Sequence, residues 1–547
     1  MSWLGERLGK REPTMMRGAP SWAATLGWAL VFLLALEAVT GAALAAFYSP
    51  STTDAWASVA YIQDQAALGW LIRGLHFHGG GAIAIVAGAH LLQTALFGAY
   101  KKPRELTWWV GILLLVLVLA WAITGYVLRW DQAGYWANKV EVGIAAGTPG
   151  VGSVIRALAI GGNDYGNLTL TRFYALHIAV LPALVFGLVG FHLWLAKKHG
   201  NTPRTSTKET QPRFPGQTIR DAIVMAAVFA ALLAYVVSQH GADLAGPADP
   251  SQAFDARPLW YFRWLFLLRE LAGSAEKLVA MAAPAVVGGL LVALPLIDRA
   301  PDRTIGKRLP YVGIAAGLMA LIAALTLVSV VSDNKPEHQK ALAEADKLAT
   351  IARDNAVLYG VPATGALGVY DAAPFAKAKR LFEQRCKDCH DGPKRKGPLI
   401  VQGHGNRAWL RGMISTPSGD AYWGHTKLAK TEGAMKPMDA LKPEELDAVV
   451  EWLWAESGAS DIDATKRKAG EAVFDGACSD CHSREEGVSG NAPALATLGS
   501  RAYYLSYISN PKSALHMGKN SEMPRFDAEL SLADRDELAA YLTTLSK

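Results

Sequence analysis

The chain has 547 residues, 51% of them hydrophobic and only 19% charged. That balance excludes a string of ordinary soluble domains. The formal net charge of +6 follows the loops between apolar runs, which excludes reading it as a nucleic-acid footprint. Seven runs long enough to cross hydrocarbon as helices are predicted at 22–48, 73–99, 108–128, 172–196, 219–239, 277–297 and 310–331. The first is too long for the core of a cleaved signal, and more spans follow it. Basic residues cluster on one side: Arg7, Lys10, Arg11 and Arg17; Lys101, Lys102 and Arg104; Lys197, Lys198, Arg204, Lys208 and Arg213; Arg299, Arg303, Lys307 and Arg308. The positive-inside bias then puts the N-terminus in the cytoplasm, and seven crossings deliver the polar C-terminal part to the other side.

Two of these runs carry paired histidines. His76 and His90 stand fourteen positions apart in the second, and His177 and His192 fifteen apart in the fourth. At about 100° and 1.5 Å per residue, each pair returns to one helix face with a separation of about 21–23 Å. Imidazoles are costly at that depth unless a metal or polar partner satisfies them. Two facing helices so arranged can clamp two metalloporphyrins, His76 with His177 near the outer surface and His90 with His192 near the inner one. His78 points about 200° away from His76 and is read as a non-ligand. Gly27 and Gly41 in the first span, and Gly111 and Gly125 in the third, repeat the fourteen-residue spacing. Each would let a flat macrocycle approach the backbone, although small residues also serve ordinary helix packing in membranes.

Beyond the last span, residues 336–357 read as an exposed helix and 359–374 as a turn-rich linker. All four cysteines then fall in "CKDCH" (Cys386, Cys389, His390) and "CSDCH" (Cys478, Cys481, His482). C-x-x-C-H supplies two thioether links and one axial imidazole, the pattern of covalent haem c attachment. Each motif follows an amphipathic helix and precedes a methionine-bearing loop and a closing helix, an internal repeat similar to the small helical cytochrome c fold. Met523 in "EMPRF" is the expected sixth ligand of the second unit, with Met517 in reserve. Met435 is preferred over Met438 in "AMKPMD" for the first.

The stretch "KKPRELTWWVGILLLVLVLAWAITGYVLRWDQAGYWANKV" (101–140), with "TLTRFYALHIAVLP" (169–182), strongly resembles the cytochrome b of Rieske/cytochrome b complexes, nearest its short four-helix form. Residues 214–331, with "GPADPSQAF" and "RPLWYF", look like that system's separate three-helix subunit. The expected architecture is all-α: a seven-helix transmembrane cytochrome b bundle followed by two cytochrome c-type domains. Its expected divisions are a cytoplasmic segment (1–21), a four-helix dihaem domain (22–200), a three-helix domain (201–335), a helical linker (336–371) and cytochrome c domains at 372–458 and 459–547.

The resemblance implies a quinol:cytochrome c oxidoreductase subunit of a bacterial cytoplasmic membrane, with two haem b, two haem c and quinol as substrate. It also implies a Rieske iron–sulfur partner, a periplasmic cytochrome c or terminal oxidase as acceptor, and a homodimeric complex. It puts Pro258, Trp260 and Tyr261 at an outer quinol pocket beside Trp130 and Tyr135, puts Lys197 and Asp221 at an inner quinone site, and adds Arg73 to the cofactor contacts. Interfacial snorkelling and helix N-terminal charge explain Lys197 and Asp221 equally well. Three departures stand out. Leu259 replaces the family's acidic residue between Pro and Trp and cannot act as a base, which leaves Glu270, Asp131 or water. Thr25 replaces the cysteine that holds an extra haem in the photosynthetic form, so that haem is expected to be absent. Arg129 replaces a proline. Leu259 also keeps open a Rieske-independent module passing electrons between quinone and periplasmic carriers without bifurcation.

Overall fold

A computed structural model describes residues 15–200, 202, 209–392, 395–400, 403–431 and 433–545. Arg7, Lys10, Arg11, Arg204 and Lys208 lie outside the described residues. The chain divides into two compact units, 1–372 and 373–547.

In the first unit, seven helical spans are long and apolar enough to cross a membrane: Trp22–Ala45, Gly69–Leu96, Glu105–Val127, Asn167–His199, Gly216–Ser238, Trp260–Ile297 and Ile305–Ser332. Their regular cores are α1 (Leu26–Ala45), α3 (Gly69–Leu96), α4 (Glu105–Val127), α7 (Asn167–Ala175) with α8 (Leu181–His199), α9 (Gly216–Ser238), α11 (Glu276–Ile297) and α12 (Leu309–Ser332). Short helices lie between them: α2 (Ala55–Asp64), α5 (Gln132–Ala146), α6 (Gly152–Ile160) and α10 (Arg263–Ala272). Ala29, Leu33 and Leu34 of α1 meet Leu75, Ile83 and Val86 of α3, Val185 of α8, and Leu232 and Val236 of α9 in a buried cluster. Small residues let these helices approach closely where no hydrophobic drive exists between them in lipid.

The all-α architecture of seven spans followed by helical domains is as expected, and three features add to it. First, a short ribbon joins the helices: β1 (Met15–Arg17) pairs antiparallel with β2 (Thr210–Pro212), with Met16 opposite Gln211. Strands of three residues carry no alternation signal, and only the partner 195 positions away defines them. Second, α13 (Pro336–Tyr359) is exposed along most of its length, as expected, but docks through one face of its C-terminal half. Ala352 and Ala356 pack against Trp56, Val59 and Ala60 of α2, and Arg353 pairs with Asp64. Third, Lys101 and Arg308, counted among the topology-setting cations, are buried.

Both cations meet Asp298, which accepts Lys101 Nζ at 2.6 Å, Arg308 Nε at 2.9 Å and the Tyr100 hydroxyl. This network ties the turn between α3 and α4 to the turn between α11 and α12. Burial alone would raise the Asp298 pKa; the hydrogen bonds from Lys101, Tyr100 and Arg308 outweigh it and hold the carboxyl below its usual range. A depressed carboxylate contributes stability fully above about pH 4, and the contribution is lost as pH falls through the lowered value.

The second unit holds α14 (Ala376–Arg385), α15 (Lys387–His390), α16 (Arg407–Ser415), α17 (Pro443–Glu456), α18 (Ala464–Ala477), α19 (Arg501–Ser509) and α20 (Leu532–Leu545). Its two cores do not follow the consecutive division at 458. One joins Ala378, Phe382 and Cys386 to Tyr504, Ile508, Phe526, Leu538 and Leu542. The other joins Leu410, Ile414, Val449 and Trp452 to Phe474, Cys478 and Leu495. Each lobe therefore combines the opening half of one repeat with the closing half of the other.

Replacing Asp298 with Asn leaves Lys101 and Arg308 buried without a counter-charge. We expect a loss of about 3–5 kcal/mol, measured as a lower thermal midpoint of the detergent-solubilised protein. An unchanged midpoint would show that the network carries no stability.

Candidate haem and quinone sites

His76 on α3 and His177 lie with ring centroids 6.0 Å apart and planes at 85°. His177 sits in a widened π turn, Leu176–Val180, between α7 and α8. Pro182 has no N–H to return to Ile178, and the Leu181 N–H bonds instead to Leu176 O, five residues back. Each Nδ1 is engaged. His76 Nδ1 lies 2.8 Å from Glu37 Oε2 and 3.1 Å from Thr40 Oγ1, while His177 Nδ1 lies 3.2 Å from both Thr124 Oγ1 and Trp121 O. That leaves both Nε2 atoms as the ligating nitrogens. Two imidazoles at about 2 Å from one metal stand with nitrogens about 4 Å and centroids roughly 6 Å apart. The spacing fits.

His90 and His192 form the second level. Both Nδ1 atoms are sealed from solvent without a hydrogen-bond partner among the described residues. The four glycines face the four rings. A side-chain carbon at Gly41 would stand 2.9 Å from His76 Cε1, at Gly125 2.6 Å from His177 Cε1, at Gly111 3.3 Å from His192 Cε1 and at Gly27 3.6 Å from His90 Cε1. At Gly41 and Gly125 the added carbon would displace the ring, at Gly111 it would crowd it slightly, and at Gly27 it would make ordinary contact. The room left for a flat group beside the ring is therefore clearest at the His76/His177 level. His78 is turned elsewhere, with Nε2 3.0 Å from Gly241 O.

Two buried guanidinium groups flank the His76 level. Arg73, one turn before His76, donates to Gln63 Oε1 at 2.5 Å and to the carbonyls of Ala242 and Asp243 at 2.6 Å. Arg129 stacks on Phe77 and Tyr126, and its Nε finds no hydrogen-bond partner among the described residues. Such cations suit anionic propionates. Thr25 is buried, with its hydroxyl donating to Trp22 O.

In the loop before α10, Trp260 lies against Gly81 of α3, and its ring meets Tyr261 edge-on at 5.3 Å. Pro258 and Leu259 precede them, half-buried. Trp130 and Tyr135 are core residues rather than pocket lining. Asp131 is completely buried and fully committed. Its Oδ1 caps α5 by accepting from Gly134 N at 2.8 Å, its Oδ2 accepts from Ala245 N at 3.0 Å, and Arg129 pairs with it. Glu270 is exposed. Neither is placed to serve as the base missing at Leu259. Sequence reasoning missed Glu141 on α5, whose buried Oε2 has no hydrogen-bond partner among the described residues. A lone acid amid apolar helix residues was the available signal.

At the other end, Lys197 is exposed near the end of α8. Asp221 is buried, paired with Arg213 and accepting from Gln217 Nε2 at 2.9 Å. That network also reaches Ser21 through Gln217, so Asp221 anchors α9 to the segment before α1. No described contact joins it to Lys197.

In the second unit, His390 Nδ1 donates to Pro398 O at 2.9 Å and His482 Nδ1 to Pro493 O at 2.7 Å. A carbonyl can only accept, so the proton sits on Nδ1 and Nε2 is free for iron. Burial lowers the pKa of both imidazoles, which favours the neutral ligating form. Cys386 and Cys478 are half-buried and Cys389 and Cys481 exposed, all without disulfides. Met523 packs in the lobe of Cys386; Met435 and Met438 pack in the lobe of Cys478. Met438 N donates to Ile414 O at 3.2 Å, as Phe526 N does to Ile508 O at 3.3 Å. Met438 is thus the counterpart of the core residue Phe526, and Met435 that of Met523. Met517 belongs to neither cluster.

Known families match four segments. Residues 81–247 match "Cytochrome b(N-terminal)/b6/petB" and 247–351 "Cytochrome b(C-terminal)/b6/petD". Residues 375–456 match "Cytochrome c", and 465–542 "Cytochrome C oxidase, cbb3-type, subunit III". Cytochrome b6 of Rippkaea orientalis is 40% identical over 175 residues, covering 32% of this chain and 79% of that protein. Cytochrome b of Rhodobacter capsulatus is 34% identical over 282 residues, 48% of this chain and 64% of its own. A solved chain of a "Hyperthermophilic respiratory Complex III" aligns with a TM-score of 0.52 at 24% identity, over 65% of this chain and 94% of that one, a likeness of fold. The chain is an integral membrane electron-transfer protein of the cytochrome b family, with cytochrome c domains carried on the same polypeptide.

Proposed function

We propose that this chain is the cytochrome b–c subunit of a quinol:cytochrome c oxidoreductase, with two haem b held by His76/His177 and His90/His192 and two haem c at the Cys386–His390 and Cys478–His482 motifs. The observation that carries the reading is the close pair of His76 and His177 imidazoles, together with a glycine against each of the four histidine rings. When bound, the haems supply one-electron transfer at fixed positions. The chain's own residues hold and orient them. Glu37, Thr40, Thr124 and the Trp121 carbonyl fix the outer rings, Arg73 and Arg129 supply cations, and the Pro398 and Pro493 carbonyls set the tautomer of the c-type imidazoles. Pro258, Trp260 and Tyr261 would form a wall of the outer quinol pocket; Lys197 would serve the inner one, with Asp221 holding the adjoining helix start. The N-terminus would be cytoplasmic and the second unit periplasmic, as the loop charges favour. A Rieske protein, a second copy of the chain, and a periplasmic cytochrome c or terminal oxidase would complete the assembly.

Leu259 favours a second reading, a module that moves electrons between quinone and periplasmic carriers without a Rieske protein. Reduction of the haems by quinol in the purified complex, together with a copurifying iron–sulfur subunit, is expected under the first reading. Quinol-driven reduction without that subunit would favour the second. No reduction by quinol would remove both.

The packing of the second unit supports crossed axial pairs, Met523 with His390 and Met435 with His482. In a chain with Cys478 and Cys481 replaced by Ala, the remaining haem c should lose its sulfur–iron absorption on Met523→Ala and keep it on Met435→Ala. The reverse result would restore consecutive domains.

The glycine cradle makes a separate prediction. Gly125→Val should halve the extractable haem b while leaving covalent haem c unchanged, because the new side chain overlaps the His177 ring. Full haem b content would show that the glycines serve helix packing alone.

A further inference from the structure

Leu259 leaves the proposed outer pocket without its usual acid, and the two carboxylates the sequence offered in its place are unsuitable, Asp131 being bonded on both oxygens and Glu270 facing outward. Glu141 meets the requirement instead. It lies on α5, which packs against α11 and α4, and its Oε2 is sealed without a hydrogen-bond partner among the described residues. One turn earlier on the same face, Asn138 is almost completely buried at 1% exposure, and both its side-chain polar atoms also lack partners among the described residues. Asn138 lies near enough to Glu141 to pull its carboxyl down, but no well-formed hydrogen bond joins them, and three buried polar atoms at adjacent positions lack partners among the described residues. A molecule that both donates and accepts hydrogen bonds would supply them. Glu141 lies within electrostatic reach of Tyr261 of the proposed quinol pocket, Tyr126 of α4 and Tyr165 before α7.

We propose that Glu141 is the proton acceptor for quinol oxidation in this chain, with Asn138 hydrogen-bonding the quinol head group, in place of the acid replaced by Leu259. The inference rests on the quinol-oxidising reading above. Oxidation of quinol to quinone releases two electrons and two protons. The electrons pass to one-electron iron acceptors, an oxidised iron–sulfur protein and ferric haem b. One proton passes to the Glu141 carboxylate as a quinol O–H bond breaks, and the second leaves by a separate route. Burial pushes the Glu141 carboxyl up to about 8, against a smaller opposing pull from Asn138, which suits a group that must take a proton and give it back near neutrality.

The test uses the intact complex in native membranes, with a soluble ubiquinol or menaquinol analogue as donor and haem b absorbance as readout. Glu141→Gln should slow quinol-driven reduction by about a hundredfold while the dithionite-reduced haem b spectrum stays normal. Adding Leu259→Glu to that variant should restore a large part of the rate. Glu141→Gln at the wild-type rate overturns the proposal. Wild-type protein supplies a measurement that needs no variant: the rate should rise with pH through about 8, as the carboxyl deprotonates. The facing tyrosines, Tyr126, Tyr165 and Tyr261, belong to a type that ordinarily titrates near about 10. A flat profile also overturns it. Wild-type membranes that show no quinol-driven reduction defeat the quinol-oxidising reading itself, whereas equal rates in wild type and Glu141→Gln defeat only the role of Glu141.

Discussion

An imidazole placed in hydrocarbon must be satisfied, and the first unit is organised around that constraint. Four histidines at two levels put polar nitrogens where lipid offers no hydrogen bonds. At the His76/His177 level the chain supplies partners for one nitrogen of each ring, Glu37 and Thr40 on one side, Thr124 and the Trp121 carbonyl on the other. The opposite nitrogens are left for an added group, with the two ring centres 6.0 Å apart. For His90 and His192, Nδ1 has no hydrogen-bond partner among the described residues. The glycines of α1 and α4 and the π turn that carries His177 answer the same requirement. Each removes bulk or shifts the ladder so that a flat group can lie beside a ring.

The same accounting separates functional from structural acids. Asp131, Asp221 and Asp298 are buried, and each is engaged by cations or backbone donors. They hold turns and helix ends in place, and a new proton would have to displace those bonds. Glu141 is the contrary case, sealed but unclaimed. Chemical type did not distinguish these residues; the supply of partners did.

Legibility in the sequence followed the range of the interaction that defines each feature. The spans, the one-face spacing of His76 with His90 and of His177 with His192, and the glycine repeats are properties of a single helix, and a 3.6-residue period exposes them. The C-x-x-C-H motifs are local as well. What could not be read depends on distant partners. The ribbon of Met16 with Gln211 and the docking of Ala352 and Ala356 on Trp56 involve segments far apart in the chain. The commitment of Asp131 to Ala245 N has the same character, and it is why Asp131 looked available as a base while Glu141 went unnoticed.

The crossed lobes of the second unit show where repetition defeats sequence reasoning. Two similar repeats offer each opening helix two chemically similar closing helices, so hydrophobic pattern alone cannot choose between them. The connection between α17 and α18 is short, Glu456 to Ala464, and short connections favour neighbours in space. It is also locked from within. Glu451 Oε1 accepts from Asp463 N at 2.8 Å, Trp454 Nε1 donates to Asp461 Oδ1 at 2.9 Å, and Arg407 spans Glu451 and Asp461. At Gly470 a side-chain carbon would collide with the Ala448 carbonyl, so only glycine permits the close crossing of α17 and α18. Once those two helices are joined, α14 has α20 as its remaining complement, and Lys377 meets Asp534 at 2.5 Å along that contact. The turn therefore selects the pairing, and through it which methionine stands in the lobe of each haem-binding motif.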